Sequence, residues 1–386
     1  MRAVRFHNKE DVRLEVVPVP IPGRGQVRLR PRYVGICGTG MLHDIEKRLL
    51  SAFLTCIDVH EYTRGATLIP KDAHPLTGQT LPVTLGHEIS GIIDAVGPGV
   101  RDRSAGDRVA IFPILADGDC HACEQGRPNC CLRQSFYGLS ASVKSPPKHS
   151  TNHAWVPGAN GGLADYMIVE AASARSVPVH MSLELASTYG RNNDVSISDV
   201  VLCWTHTSKT ALVEPLAVGW HAVRTNLSDK PTSALVIGAG PIGLAIVQAL
   251  KAHGVEFIVV ADTNPKKKEY ASRAGAHHFI ESLKENVVEA TVGLFGHAGV
   301  KIAFDTAGKQ VTLDQCVNSL CVGGTVVNVA IWGGSASIFP NAFALGEKRY
   351  VGSAVYVERD FDEVISAIST GIESSCSPWK AEVADN

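Results

Sequence analysis

The run SALVIGAGPIGLAIVQALKA, Ser233 to Ala252, leaves its surroundings little freedom in how they fold. An apolar stretch ends in Gly238, Gly240 and Gly243, which fill a G-x-G-x-x-G pattern directly after a strand and at the start of a helix. Bare backbone at these positions, with Pro241 and Ile242 between them, lets amide groups approach a pyrophosphate at a helix N-terminus. Such a pattern calls for an acid about 20 positions on, at the end of the next strand. Asp262, in IVVADTN, stands there. Its carboxylate can accept from both ribose hydroxyls of NAD and repels a 2′-phosphate, while Lys267, within the run Lys266 to Lys268, leaves some room for NADP. NAD is therefore expected over NADP. Glycines serving only tight packing would account for the three residues but not for strand, helix and acid together.

The flanking chain fits this unit. EFIVVAD, KIAFDTA and GTVVNVAI are apolar strands separated by helical patterns such as PKKKEYASRAG, the alternation of a parallel, doubly wound α/β sheet. Before about residue 218 the character differs: short β-branched runs such as VRLEVVPVP and ISGIIDAVG alternate with Gly, Pro and Asp turns, which predicts a mostly β domain. We read residues 1–217 as that domain, 218–370 as the dinucleotide-binding domain and 371–386 as a separate tail. A chain of 386 residues is long enough for two cores. Lys+Arg 36 against Asp+Glu 38 offers no field for nucleic acid or an anionic membrane, so a small-molecule partner is favoured. The N-terminus is too charged for a secretory signal and the most apolar run is broken by glycines and Pro241, which predicts a cytoplasmic protein without a membrane span. Ten cysteines in such a chain point to metal or catalysis rather than disulfides.

Two groups of residues are candidates for metal. Cys37, His87 and Glu88 of GHE, and Glu214 of VEP combine a thiolate, an imidazole and carboxylates, a set suited to a zinc that keeps an open position. Singly, each is as well read as a core residue. In DGDCHACEQGRPNCC, Asp117, Cys120, Cys123 and Cys131 have the spacing of a closed tetrahedral site. A thiol-rich loop without metal, or one using Cys130 in place of Cys131, is the alternative.

With these residues in view, the chain resembles the zinc-containing medium-chain alcohol dehydrogenases, in the branch of 2,3-butanediol and sorbitol dehydrogenases. The resemblance rests on VGICGT, DVHEY, LPVTLGHEISGIIDAVGPGV, AGDRVAIFPI, CHACEQGRPNCC, GGLADYMIV, ALVEPLAVGWHAV and VIGAGPIGL. It implies a GroES-like catalytic domain joined to a Rossmann domain with the active site in the cleft between them. Cys37 and His87 then match zinc ligands, Glu88 the acidic neighbour that ligates directly or through water, and Glu214 the place where other alcohol dehydrogenases carry a cysteine ligand. Thr39 matches the hydroxyl that takes the substrate proton and His60 the histidine that passes it to solvent, with Tyr62 and Trp332 as candidate pocket walls. The implied reaction is hydride transfer between a secondary alcohol or vicinal diol and NAD, in a homodimer or homotetramer. A catalytically silent dinucleotide-binding relative and a zinc-free quinone or enone reductase of the same superfamily are the alternatives.

Three stretches interrupt the matching motifs: 40–57 between CGT and DVHEY, 141–160 between YGLS and GGLADY, and 187–210 between ELA and ALVEP. The first carries Leu42, Ile45, Leu49 and Phe53 at helical spacing, so it reads either as an inserted helix or, since removing each stretch restores a motif, as a retained intron. The tail 371–386, where family members continue, reads on the same grounds as truncated or aberrant. Retained introns are the favoured reading. On it, transcript sequencing finds most messages without the codons for residues 40–57 and 187–210; their presence in the dominant message, with full activity of the 386-residue chain, overturns it.

Overall fold

The computed structural model describes residues 1–35, 61–62, 65–66, 69–140, 160–181, 212–227, 232–296 and 298–370. Cys37, Thr39, His60, the three interrupting stretches apart from Asn160, and the tail 371–386 lie outside them. The described residues fall into two compact units: one from Met1 to Glu214 together with Val357–Ser369, the other Pro215–Tyr356. The division lies inside the helix Val213–Asn226, three residues earlier than the sequence boundary at 217, and returns the last described helix, Glu358–Ser369, to the first unit.

The first unit is mostly β. Its strands are β1 (Arg2–Asn8), β2 (Asp11–Val16), β3 (Gln26–Gly35), β4 (Val83–Thr84), β5 (Glu88–Val96), β6 (Arg108–Ile111), β7 (Ile114–Leu115), β8 (Ser135–Phe136), β9 (Met167–Glu170) and β10 (Ala174–Ser176). They form an antiparallel five-stranded sheet, β10-β6-β5-β3-β9, beside the smaller sets β2-β1-β4 and β7-β8. Strand β3 shows why: in QVRLRPRYVG the side chains of Val27 and Leu29 turn into a core shared with Ile89, Ile93, Val109, Ile111, Tyr137 and Met167. Arg28 and Arg30 face the other way, each 5.2 Å from the Tyr166 ring centroid, and Arg28 pairs with Asp94 at 2.6 Å. The β3–β5 register shifts at Arg28/Leu29 and again at Pro31/Tyr33, where a proline that cannot donate to the ladder is passed by an irregularity. The helix Glu358–Ser369 seats Phe361 edge-on against Phe112, ring centroids 5.7 Å apart, and Asp362 accepts from Arg175 Nε at 2.8 Å. Around the stretch that leaves the described chain after Ser140, the Gly138 N–H donates to the Asn160 carbonyl at 2.7 Å, so the two flanks are tied together.

The second unit is the parallel sheet. Strands β11 (Ser233–Ile237), β12 (Phe257–Asp262), β13 (His278–Glu281), β14 (Val300–Asp305), β15 (Leu320–Asn328) and β16 (Arg349–Gly352) lie in the order β13-β12-β11-β14-β15-β16, all neighbours parallel. This is the order 3-2-1-4-5-6 of a doubly wound dinucleotide-binding sheet, whose direction of growth reverses between β11 and β14. All five residues of β11 are buried, alternating between two cores: Ala234 and Val236 join Ile246, Leu250 and Ile258, whereas Leu235 and Ile237 join Val259, Leu313 and Val317. Helices cover both faces, which is why these strands read as unbroken apolar runs rather than alternating ones.

The helix Pro241–Ala252 starts with proline at its first turn, where the missing N–H removes no helical hydrogen bond. Two glycines set how closely it can approach the sheet. Gly238 sits at φ +103°, and a Cβ at Gly243 would stand 1.8 Å from the Gly238 carbonyl oxygen. Gly293, inside the helix Val287–Leu294, has nothing within 4 Å of where a Cβ would go. Thermal and urea melts are therefore expected to show Gly243→Ala destabilising the chain by about 1–3 kcal/mol or more. The control Gly293→Ala should stabilise it by about 0.5–1 kcal/mol. Equal effects would remove the packing role of Gly243.

Candidate functional site

The GHE turn is built where three backbone segments come too close for side chains. Gly86 has φ +97°, and its carbonyl accepts from Gly162 N at 2.9 Å. A Cβ on Gly138 would lie 2.1 Å from that same carbonyl oxygen, and one on Gly161 would lie 2.1 Å from the Thr84 oxygen. The turn is thereby fixed between the YGLS and GGLADY segments, and it presents His87 just ahead of β5 and Glu88 as the first residue of that strand. Opposite Glu88 in the β3–β5 ladder is Gly35, where a Cβ would stand 1.8 Å from Glu88 Oε2. The absent side chain is the room the carboxylate occupies. Glu214, in the first turn of Val213–Asn226, completes a buried group in which ligand atoms of His87, Glu88 and Glu214 lie within 4.8 Å of one another. Of the residues named with this site from sequence, the structure brings these three together; Cys37, Thr39 and His60 are outside the described residues. Tyr62 is exposed and its carbonyl accepts from Glu10 N at 2.8 Å. Trp332 donates from Nε1 to Asn328 Oδ1 at 2.8 Å and packs on the core of the second unit.

Asp117, Cys120, Cys123 and Cys131 also converge within 4.8 Å. They sit on a loop closed at its base by the β7–β8 pair, with the short helix His121–Glu124 and a turn at Pro128–Cys130 between. Cys120 Sγ and Cys123 Sγ are 3.6 Å apart, and Cys131 Sγ accepts from the amides of Asp117 and Arg133, both at 3.4 Å. Cys130, its neighbour, is exposed. Amide donors from Cys123 and Leu132 hold the Cys120 thiol below its ordinary pKa. Burial pushes Cys123 up to about 12 and also raises Cys131. Burial alone would raise the Asp117 carboxyl too, but the amides of Cys120 and Asp119 and the Arg133 guanidinium outweigh it and hold that group far below the carboxylate range. Arg133, absent from the sequence reading, was marked there only by a cation two places beyond Cys131.

In the second unit the glycine turn meets the end of β12. Asp262 is buried, and its Oδ2 accepts from Ala239 N at 2.7 Å and from Lys267 Nζ at 3.1 Å, while Oδ1 accepts from Asn264 N at 2.8 Å. The acid foreseen as a ribose partner thus also ties the glycine turn to its neighbouring strand. Gly240 is the N-cap of Pro241–Ala252 with φ −79°, an ordinary backbone conformation, unlike Gly238. Across the switch point, Thr306 Oγ1 donates towards the carbonyls of Ile237, at 2.9 Å, and Gly238, at 3.1 Å. Next to it, Asp305 is fully buried; its Oδ1 accepts from the amides of Ala307 and Gly308, and burial raises its pKa. Neither residue was singled out from the sequence, although the polar DTAG after an apolar strand is a signal for such a turn. Among the described residues, no helix is long and apolar enough to cross a membrane.

Removing the Asp262 carboxylate strands the buried Ala239 amide, and leaving a buried donor unpaired costs about 1–3 kcal/mol. Asp262→Ala is therefore expected to lower the melting temperature of the cofactor-free chain, measured by calorimetry. An unchanged melt would confine Asp262 to ligand contact.

The Alcohol dehydrogenase GroES-like domain family matches residues 23–179 and the Zinc-binding dehydrogenase family residues 241–370. The chain is 32% identical to (R,R)-butanediol dehydrogenase of Bacillus subtilis, over 97% of this chain and 90% of the relative. It is 30% identical to a sorbitol dehydrogenase of the same species, over 86% of this chain and 75% of the relative. The crystal structure of 2R,3R-butanediol dehydrogenase from Bacillus subtilis superposes with a TM-score of 0.76 at 31% identity, covering 96% of this chain and 88% of that one. With a GroES-like unit, a Rossmann unit and these relatives along nearly its whole length, the chain belongs to the zinc-containing medium-chain alcohol dehydrogenase family, in its butanediol and sorbitol dehydrogenase branch, and is an alcohol or diol dehydrogenase.

Proposed function

We propose that this chain transfers a hydride between a secondary alcohol or vicinal diol, 2,3-butanediol-like or a polyol, and NAD. The observation that carries the reading is the buried convergence of His87, Glu88 and Glu214 within 4.8 Å, in a chain that also holds a dinucleotide turn. An imidazole beside two buried carboxylates is a donor set suited to zinc. The absent side chain at Gly35 fits the same group, since a Cβ there would stand 1.8 Å from Glu88 Oε2 and displace the carboxylate. On this reading His87, Glu88 and Glu214, with Cys37, hold the catalytic metal, and Asp117, Cys120, Cys123 and Cys131 hold a second, structural one. When bound, zinc supplies a Lewis acid for the substrate oxygen and NAD the hydride acceptor.

The chain's own groups do the rest. Thr39 takes the hydroxyl proton and His60 passes it to solvent. Gly238, Gly240 and Gly243 keep the turn bare of side chains and Pro241 and Ile242 open the helix, so the pyrophosphate reaches the amides at the helix N-terminus. Asp262 faces the ribose with Lys267 at its side, and its negative charge disfavours a 2′-phosphate, which supports NAD over NADP. Relatives named for (R,R)-butanediol and sorbitol support the substrate class. A homodimer or homotetramer in the cytoplasm belongs to the same reading.

The test is NAD reduction by zinc-loaded protein with 2,3-butanediol, sorbitol, xylitol and simple secondary alcohols, with and without a chelator. Turnover on none of them sinks the diol reading. His87→Ala is expected to lower kcat/KM by about 10³-fold or more, as loss of an essential group does. It should leave NADH affinity, read by fluorescence titration, within a few-fold. Equal loss of both would contradict separate metal and dinucleotide sites.

A further inference from the structure

Structural zinc sites close most often with thiolates and imidazoles alone: four thiolates, three with one imidazole, or two with two. In the loop between β7 and β8 the fourth donor is the Asp117 carboxylate, and a carboxylate left to itself swings about two torsions and offers either oxygen. Here it is held from both sides. Its Oδ1 accepts from the amides of Asp119 and Cys120, both at 3.0 Å, and its Oδ2 accepts from Arg133 Nε at 2.8 Å. The other end of the same guanidinium, Nη2, donates to Asp119 Oδ1. The Arg133 main chain is anchored as well, since its N–H donates to Cys131 Sγ. The Asp117 side chain is only 3% exposed, whereas that of Arg133 is 45% exposed, so the cation reaches a buried acid from the surface.

Resting on the reading that this loop binds zinc, we propose that Arg133 is the positioning residue of the site, fixing Asp117 as the fourth donor. A planar fork that grips Asp117 and Asp119 at once does this in a way an ammonium cannot. Groups that orient a metal ligand act on affinity although they never touch the metal.

The test uses the full chain as wild type, Arg133→Gln, Arg133→Lys, Asp117→Cys, the double variant Asp117→Cys with Arg133→Gln, and Cys123→Ser. Loop affinity is read by zinc competition with a chromogenic chelator and by the thiolate-to-metal bands of the cobalt-substituted protein. Arg133→Gln is expected to weaken loop zinc by about 10- to 100-fold and shift the cobalt bands, with Arg133→Lys recovering only part. With Asp117→Cys in place there is no carboxylate to orient, so adding Arg133→Gln should change affinity by less than about threefold, within the coupling logic of a double-mutant cycle. Equal losses in both backgrounds would mean that Arg133 merely holds the loop together, and no loss in either would overturn the proposal outright. Cys123→Ser separates the premise. If it leaves metal content and cobalt spectrum unchanged, the loop binds no metal and the site reading itself fails; if it removes one metal while Arg133→Gln does nothing, only the Arg133 inference falls.

Discussion

The carbonyl of Gly86 is where the first unit is most tightly constrained. It accepts from Gly162 and lies in the space that any side chain at Gly138 would need. Three segments distant in sequence therefore meet backbone to backbone, and the turn they enclose has one position available. His87 and Glu88 inherit their placement from that contact, and Glu88 gains its room from a fourth glycine, Gly35, across the ladder. The placement of His87 and Glu88 thus depends less on those two side chains than on four residues with no side chains at all. Such a junction is intolerant of change because backbone, unlike a flexible side chain, cannot move aside.

The second unit solves a related problem by other means. Its glycine turn must stay open to a ligand, so it cannot be fixed by burial under side chains. It is tied instead by hydrogen bonds on two sides: the Asp262 carboxylate takes the Ala239 amide, and the Thr306 hydroxyl reaches the Ile237 and Gly238 carbonyls. One of these anchors is itself the group expected to meet the ribose, so rigidity and recognition share a residue.

Much of this was legible in the sequence wherever the determining contacts are local. The glycine pattern, the strand before it and Asp262 after it lie within one supersecondary unit, and the parallel sheet followed from apolar runs alternating with helical ones. The cysteine loop was legible for the same reason, its four donors lying within Asp117–Cys131. Glu214 is different: nothing in its local spacing joins it to His87, and only the chemistry of the donor set and the family resemblance pointed to the grouping. The glycine junction was not legible, because Gly86, Gly138 and Gly161 each look like ordinary turn residues until their partners are known. Arg133 and Thr306 escaped for a similar reason, as each acts on atoms across a turn and has no pattern of its own. The helix Glu358–Ser369 was assigned from sequence to the neighbouring domain, because the contacts of Phe361 and Asp362 with Phe112 and Arg175 span most of the chain length.

The hydrogen bond from Gly138 to Asn160 separates the stability of the GHE turn from the length of chain between those two residues. With both flanks pinned to each other and to the GHE turn, the fold senses the ends of the intervening stretch and not its length. Closing a loop costs an amount that grows only logarithmically with the number of residues, about 0.6 kcal/mol for each doubling. By that relation the number of residues between the two pinned ends bears only weakly on stability, whereas the turn beside them is held by direct backbone contact.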